Sequence, residues 1–509
     1  MLVIDSKIPL TIYDVVRVAR ERERVSLSEE TQERIRASRA YVDNIVNAER
    51  PVYGISTGFG EFSKVAISPD QRELLQRNLI LSHCTGVGDY LPEDAARAII
   101  LLRANSLSQG YSGVRLSTVE KLIELLNKDI YPAIPCKGSV GSSGDLAPLS
   151  HMAAVLLGEG FVICDGASVP SLPVLQAAGI EPIALASKEG LALINGTQTM
   201  TAIGALACYD GEQLMKVADI AVGLSLEALQ GTRTAFDPRI AQIRPHPGQI
   251  QCSENVLKLT ANSPIIEGHI DCDKVQDAYS LRCASQVHGA SREALRRVKE
   301  TLDIEMNAVT DNPLVMADTG EIISGGNFHG QPMALVMDYF KVAISELGNI
   351  SERRTNRLVD PHLSSGLPAF LTRYGGVNSG MMINQYTAAA LVSENKVLCH
   401  PASCDSVPTS ANQEDHVSMG TIAARQVREI LENVRHILAI ELLAAIQGID
   451  FLAPKRPGAG TGVAYDYLRT VVPHLAEDRL QSPDMLAVHG TIVDETLVRK
   501  VEAAVGTLH

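Results

Sequence analysis

VSMGTIAARQVREILENVRHILAIELLAAIQG, residues 417–448, decides the fold class. It reads as one helix of about thirty residues ended by Gly448, where the mean helix is ~11 residues. Its most apolar part, ILAIELLAAI, carries Glu441 in the middle, which argues against a bilayer span. Working outward, QPMALVMDYFKVAISELGNISERR places Met333, Met337, Phe340, Ile344 and Leu347 at alternating spacings of four and three, one face of a second long helix. STVEKLIELLNKDI opens on Ser117 and Glu120, a capping-box pattern, and stops at Pro132 and Pro135. Alternation of period two is scarce. Short strands are expected only in FVICDGASVP and LVMADTGEIIS, where Gly320 can turn a hairpin. The chain reads as mainly α, a bundle of long helices with a few short strands.

Composition narrows the partners. The 509 residues hold 45 Lys+Arg against 59 Asp+Glu, a net charge of −14, so neither nucleic acid nor an anionic membrane is expected as partner. With 45% apolar residues and no long polar tract, the chain should fold into a large core rather than stay disordered. Aromatics are only 4%, with no Trp. The nine cysteines form no C-x-x-C pair and the N-terminus lacks a secretory apolar run, which predicts a reduced, cytoplasmic protein. A soft boundary divides an N-terminal, loop-rich region, 1–200, from a long-helix region, 201–509. Residues 231–275 read as loop-rich.

Glycine clusters interrupt the helices, and function is expected there. The sharpest is GSVGSSGDLAPL, residues 138–149. Asp145 can cap the following helix, Pro148 suits its first turn, and Gly158 and Gly160 end it. Ser142-Ser143-Gly144 therefore precedes a helix N-terminus, which favours negative charge. By composition the segment is an ordinary loop or anion-binding turn. It lacks the G-x-x-x-x-G-K-[ST] phosphate signature, and Asp145 breaks G-x-S-x-G. Another chemistry fits. Attack of the Gly144 nitrogen on the Ser142 carbonyl would close a five-membered ring, and loss of the Ser143 hydroxyl would leave an exocyclic methylene electrophile.

This segment resembles the one from which the histidine and aromatic amino acid ammonia-lyase family makes its methylidene-imidazolone group. YGISTGFG, LILSHCTGVG, KEGLALINGTQ, QDAYSLRC, TDNPLV, ISGGNFHG and SANQEDHVSMG resemble the same family, in its order along the chain. The family usually has Ala-Ser-Gly at the tripeptide; Ser142 stands here in place of Ala. The resemblance implies the helical fold of the fumarase and aspartase superfamily. It also implies homotetramers with active sites shared between subunits, and no dissociable cofactor or metal.

Residue by residue, the resemblance implies further roles. Tyr53 is the base for the β-proton. His83 lies where the substrate side chain is selected, and Arg282 holds the carboxylate. Asn195 bonds substrate or prosthetic ring, Tyr279 is a catalytic residue near the electrophile, Gln276 can share a wall with it, and Phe328 walls the site against the prosthetic group. Glu414, otherwise an ordinary solvated acid, marks the histidine-using branch, because a carboxylate accepts an imidazole N–H. The expected reaction is loss of ammonia from L-histidine to give trans-urocanate; tyrosine or phenylalanine ammonia-lyase or aromatic aminomutase activity is the alternative. His151, Cys399, His400 and Cys404 invite a metal reading, but the C-H-x3-C spacing supplies three ligands and no clear fourth.

Overall fold

The computed structural model describes residues 1–48, 68, 71–269 and 274–509. The chain forms two compact units. The first comprises residues 1–209, 298–338 and 401–425; the second comprises 210–297, 339–400 and 426–509. Helices dominate, and the described strands pair only as four two-stranded ribbons.

In the first unit the helix Glu93–Ser108 is the central element, with every residue from Ala95 to Ser108 buried. Its run of Ala, Ile and Leu draws the helix inside, and its polar residues are buried with it. Its two arginines go in with it because the backbone satisfies them. Arg97 donates to Val18 O and Leu126 O, and Arg103 to Thr310 O and Gln198 Oε1. Helices Ile12–Ala19 and Leu116–Asn127 cover it. Both expected hairpins are present, Phe161–Cys164 with Ala167–Pro170 and Leu314–Met316 with Glu321–Ile323. Gly320 takes a φ of 71°, the left-handed turn conformation glycine suits.

Three long helices contribute most of their length to the second unit. Gln198–Ala228, Gln331–Val359 and Gly420–Asp450 run 31, 29 and 31 residues. The row Met333, Met337, Phe340, Ile344 and Leu347 is fully buried, as its spacing required. Glu441 is also fully buried. It is held by Arg354 at 2.5 and 2.8 Å and by the Ser225 hydroxyl at 2.6 Å. Three helices therefore meet at one desolvated ion pair.

Three local expectations differ. Gly448 lies inside its helix, which continues to Asp450, because the residues around it remain packed. The helix expected to start at Ser117 begins at Leu116 after Arg115, so Ser117 is not its cap. Arg115 is drawn to Glu189 instead, and Thr118 donates to the same carboxylate. Finally, 231–275 contains the 13-residue helix Pro247–Leu259 between shorter ones.

Candidate active site

The helix Leu146–Leu156 starts after Asp145, but the Asp145 carboxylate makes no cap bond to it. It turns instead to distant parts of the first unit. It accepts from Met200 N at 2.9 Å, from Ser139 Oγ at 2.9 Å and from Thr421 Oγ1. Complete burial pushes its pKa up, while these donors oppose the shift. The tripeptide before it is bent tightly. Ser142 and Gly144 are bridged to each other, Gly144 pairs with Gly196, and Asp145 N donates to Gly196 O at 2.7 Å. Gly144 has a φ of 72°, and a Cβ there would stand 2.1 Å from Gly196 O. Only glycine meets both conditions.

A second segment clamps the tripeptide from the side. Met419 N donates to Val140 O at 2.9 Å, and Ser418 Oγ to Gly141 O at 3.0 Å. This docking sets Glu414 against the turn, so that Ser143 Oγ donates to Glu414 Oε1 at 3.3 Å. Ser82, His83, Ser142 and Gly144 line one cavity of about 200 Å3. His83 ends the helix Arg72–His83. Burial lowers its pKa, and a bond to the Leu79 backbone and the negative charge of Glu414 pull the other way. The neighbouring Cys84 thiol is pushed up to about 11 by burial, so it stays protonated near neutral pH.

Asn195 is almost fully buried. Its amide donates to Asn312 O at 3.1 Å and to Asp311 Oδ1 at 3.3 Å. Its Oδ1 has no hydrogen-bond partner among the described residues. Asp311 also holds Lys188 in a fully buried pair at 2.7 Å. Phe328 is half-buried in a loop that Asn327 and Gly325 tie down, to Val309 O and Asn312 Oδ1. His329, next to it, lies 5.6 Å from the His416 ring, on the loop that carries Glu414.

The first unit thus brings together Ser142, Ser143, Gly144, His83 and Glu414. Gly196 joins Asn195's segment to the tripeptide, and His329 joins Phe328's loop to that of Glu414. The second unit holds Gln276, Tyr279 and Arg282. Gln276 and Arg282 line a cavity of about 800 Å3, with Thr232, His269 and Asp277 among its walls. Tyr279 is 70% exposed and stacks under the Arg282 guanidinium at 4.4 Å. Tyr53 and its glycine loop, YGISTGFG, lie outside the described residues. Sequence reasoning missed one participant, Thr409, and assigned Asp145 a different task. Thr409 bonds Glu414, and Asp145 ties three segments together rather than capping a helix. Among the described residues, His151, Cys399, His400 and Cys404 form no group of converging metal ligands. His151 Nε2 accepts the Gly86 N–H instead.

Residues 10–470 match the model for aromatic amino acid lyases. A curated relative, histidine ammonia-lyase of Alkaliphilus oremlandii, is 56% identical over 498 residues, 97% of each chain. The chain belongs to the aromatic amino acid lyase family. Solved structures of the family agree in fold. Histidine ammonia-lyase from Trypanosoma cruzi superposes with a TM-score of 0.92 at 45% identity, over 99% of this chain and 95% of that one. Tyrosine aminomutase from Streptomyces globisporus gives 0.95 at 39% identity over the whole of both chains. The mainly helical, fumarase-like architecture of the family is therefore the architecture of this chain.

Proposed function

We propose that this chain eliminates ammonia from L-histidine to give trans-urocanate, at an electrophile built from Ser142, Ser143 and Gly144. The observation that carries the substrate is the placement of Glu414, whose Oε1 lies 3.3 Å from Ser143 Oγ. A carboxylate there accepts an imidazole N–H, whereas a phenyl ring would leave it unpaired. The high identity to a histidine ammonia-lyase over almost the full chain supports the same substrate.

The residues fit the prosthetic group. Ring closure joins the Gly144 nitrogen to the Ser142 carbonyl carbon with loss of one water. Loss of the Ser143 hydroxyl with its α-hydrogen releases the second. The existing bridge between Ser142 and Gly144, and a Gly144 that carries no Cβ, favour that closure. Once formed, the methylidene-imidazolone supplies an electrophile that makes the substrate amine a better leaving group.

The chain's own side chains do the rest. Glu414 and His83 orient the imidazole. Arg282 holds the carboxylate, for which its planar fork is suited. Asn195 offers its unpartnered Oδ1 to a substrate N–H. Phe328, Tyr279 and Gln276 wall the pocket, and Tyr53 takes the β-proton. Orientation of these groups contributes much of the rate.

The active assembly is proposed as a homotetramer with shared sites. Support comes from large apolar side chains exposed in the second unit, among them Tyr279, Tyr339, Tyr386 and Val397. The free cysteines and the absence, among the described residues, of a helix able to cross a membrane support a cytoplasmic location.

Two measurements test the proposal. The intact mass should fall two waters below that of the sequence, and a full-mass folded chain would remove the electrophile. Steady-state rates should favour histidine over tyrosine and phenylalanine. Faster turnover of tyrosine, or formation of a β-amino acid, would support the aminomutase alternative, which the likeness to tyrosine aminomutase keeps in view.

A further inference from the structure

The loop before the long helix Gly420–Asp450 has an unusual backbone. Ser410, Ala411 and Asn412 take φ values of 50°, 54° and 68°, three consecutive left-handed residues with no glycine among them. Each such residue costs about 1 kcal/mol over the right-handed form, so the surrounding contacts must hold the turn in place. The contacts are visible. Thr409 N donates to Glu414 O at 2.9 Å and Glu414 N to Thr409 O at 3.3 Å, an antiparallel bridge closing a four-residue loop. Side chains of directly opposed residues in such a bridge share one face. Thr409 Oγ1 accordingly donates to Glu414 Oε2 at 2.7 Å.

The two carboxylate oxygens of Glu414 thereby acquire different tasks. Oε2 is engaged within its own loop, and Oε1 is the oxygen turned to Ser143. A glutamate has three rotatable bonds and this one is only half-buried, so without the tether it would sample other rotamers and take its bonds from water. We infer that Thr409, presented by the left-handed turn Ser410–Asn412, is a positioning residue that aims Glu414 Oε1 at the substrate ring and so sets substrate selectivity. The inference rests on Glu414 recognising the imidazole, as proposed above.

Its test is a set of three variants of the full-length enzyme assayed on histidine, with intact mass and thermal midpoint recorded for each. Thr409→Val keeps the branched shape and removes the hydroxyl, while Thr409→Ser restores it. The expected result is a KM for histidine raised about tenfold in Thr409→Val with a smaller change in kcat, the loss of one charge-assisted hydrogen bond. Thr409→Ser should return to within about twofold of wild type, because its hydroxyl reaches the same oxygen. The loss of two waters and the thermal midpoint should stay unchanged in both, which separates aiming from a general structural defect.

Wild-type kinetics in Thr409→Val, with Glu414→Gln impaired, would overturn the positioning role alone. Wild-type kinetics in Glu414→Gln would overturn the imidazole reading and the positioning role together. Equal loss in Thr409→Val and Thr409→Ser would also overturn the role, since the hydroxyl would then not be the cause.

Discussion

The two regions that carry the proposed site residues are built in opposite ways. Around Ser142–Gly144 the polar groups are matched. Asp145 takes three donors, Ser418 and Met419 bond the turn, and no room remains for a Cβ on Gly144. Around Arg282 the groups stand open. Tyr279 and Gln276 are exposed, and Arg282 Nε has no hydrogen-bond partner among the described residues. One region is preorganised by its own unit, and the other still offers its donors to something else. A buried N–H left without a partner is costly, and a substrate carboxylate held by Arg282, as proposed above, would supply one.

The most severe way to break this contrast is at the centre of the matched region. Ser143→Ala should lose about 1,000-fold or more in kcat, since covalent catalysis disappears, and its mass should never show the second water loss. Near-normal turnover would end the proposal. Glu414→Gln comes next. It should cost about 100-fold in kcat/KM on histidine and leave the thermal midpoint near wild type, because the side chain is only half-buried.

Arg282→Lys probes the open region. The ammonium cannot reproduce a bidentate grip, so KM should rise about tenfold for any amino acid substrate, whatever its ring. A rise confined to histidine would assign Arg282 to the side chain instead and blur the division of labour.

The smallest effect concerns stability beside the open cavity. Burial raises the Glu227 carboxyl to about 7 from 4.5, despite the hydroxyls of Ser263 and Thr461 and the Gly458 N–H that lower it. Its folded value thus lies above its unfolded one. The stability linked to it is complete below about pH 4.5 and is lost as pH rises through about 7, on the order of 3 kcal/mol in total. Glu227→Gln should flatten the decline of the thermal midpoint between about pH 5 and 7. A slope identical to wild type would show that the group titrates normally.

The sequence made some of this legible and hid the rest for physical reasons. Long helices could be read because one repeating face must be apolar, and the buried row from Met333 to Leu347 obeyed that rule. Caps were harder to read. Ser117 and Asp145 both looked like helix starters, yet Arg115 was claimed by Glu189, and Asp145 by Thr421 and the Met200 backbone. At these two positions the local pattern loses to a partner brought in by tertiary contact. At the site, Ser142–Gly144 and Glu414 stood out in distinctive segments. Thr409 did not, because its contact arises when a left-handed loop folds back, and no periodicity in the sequence announces three such residues in a row.

The packing of Gly144 against Gly196 also governs how this sequence can drift. Gly144 can accept no side chain, and a Cβ on Gly196 would meet Arg103 Nη1 and Gln198 Oε1 at 2.4 Å, so neither partner can change to relieve the other. At the other end of the tripeptide, Ser142 borders a cavity of about 200 Å3, which leaves room for its hydroxyl. Variation can therefore enter this turn through residue 142 while residue 144 stays fixed.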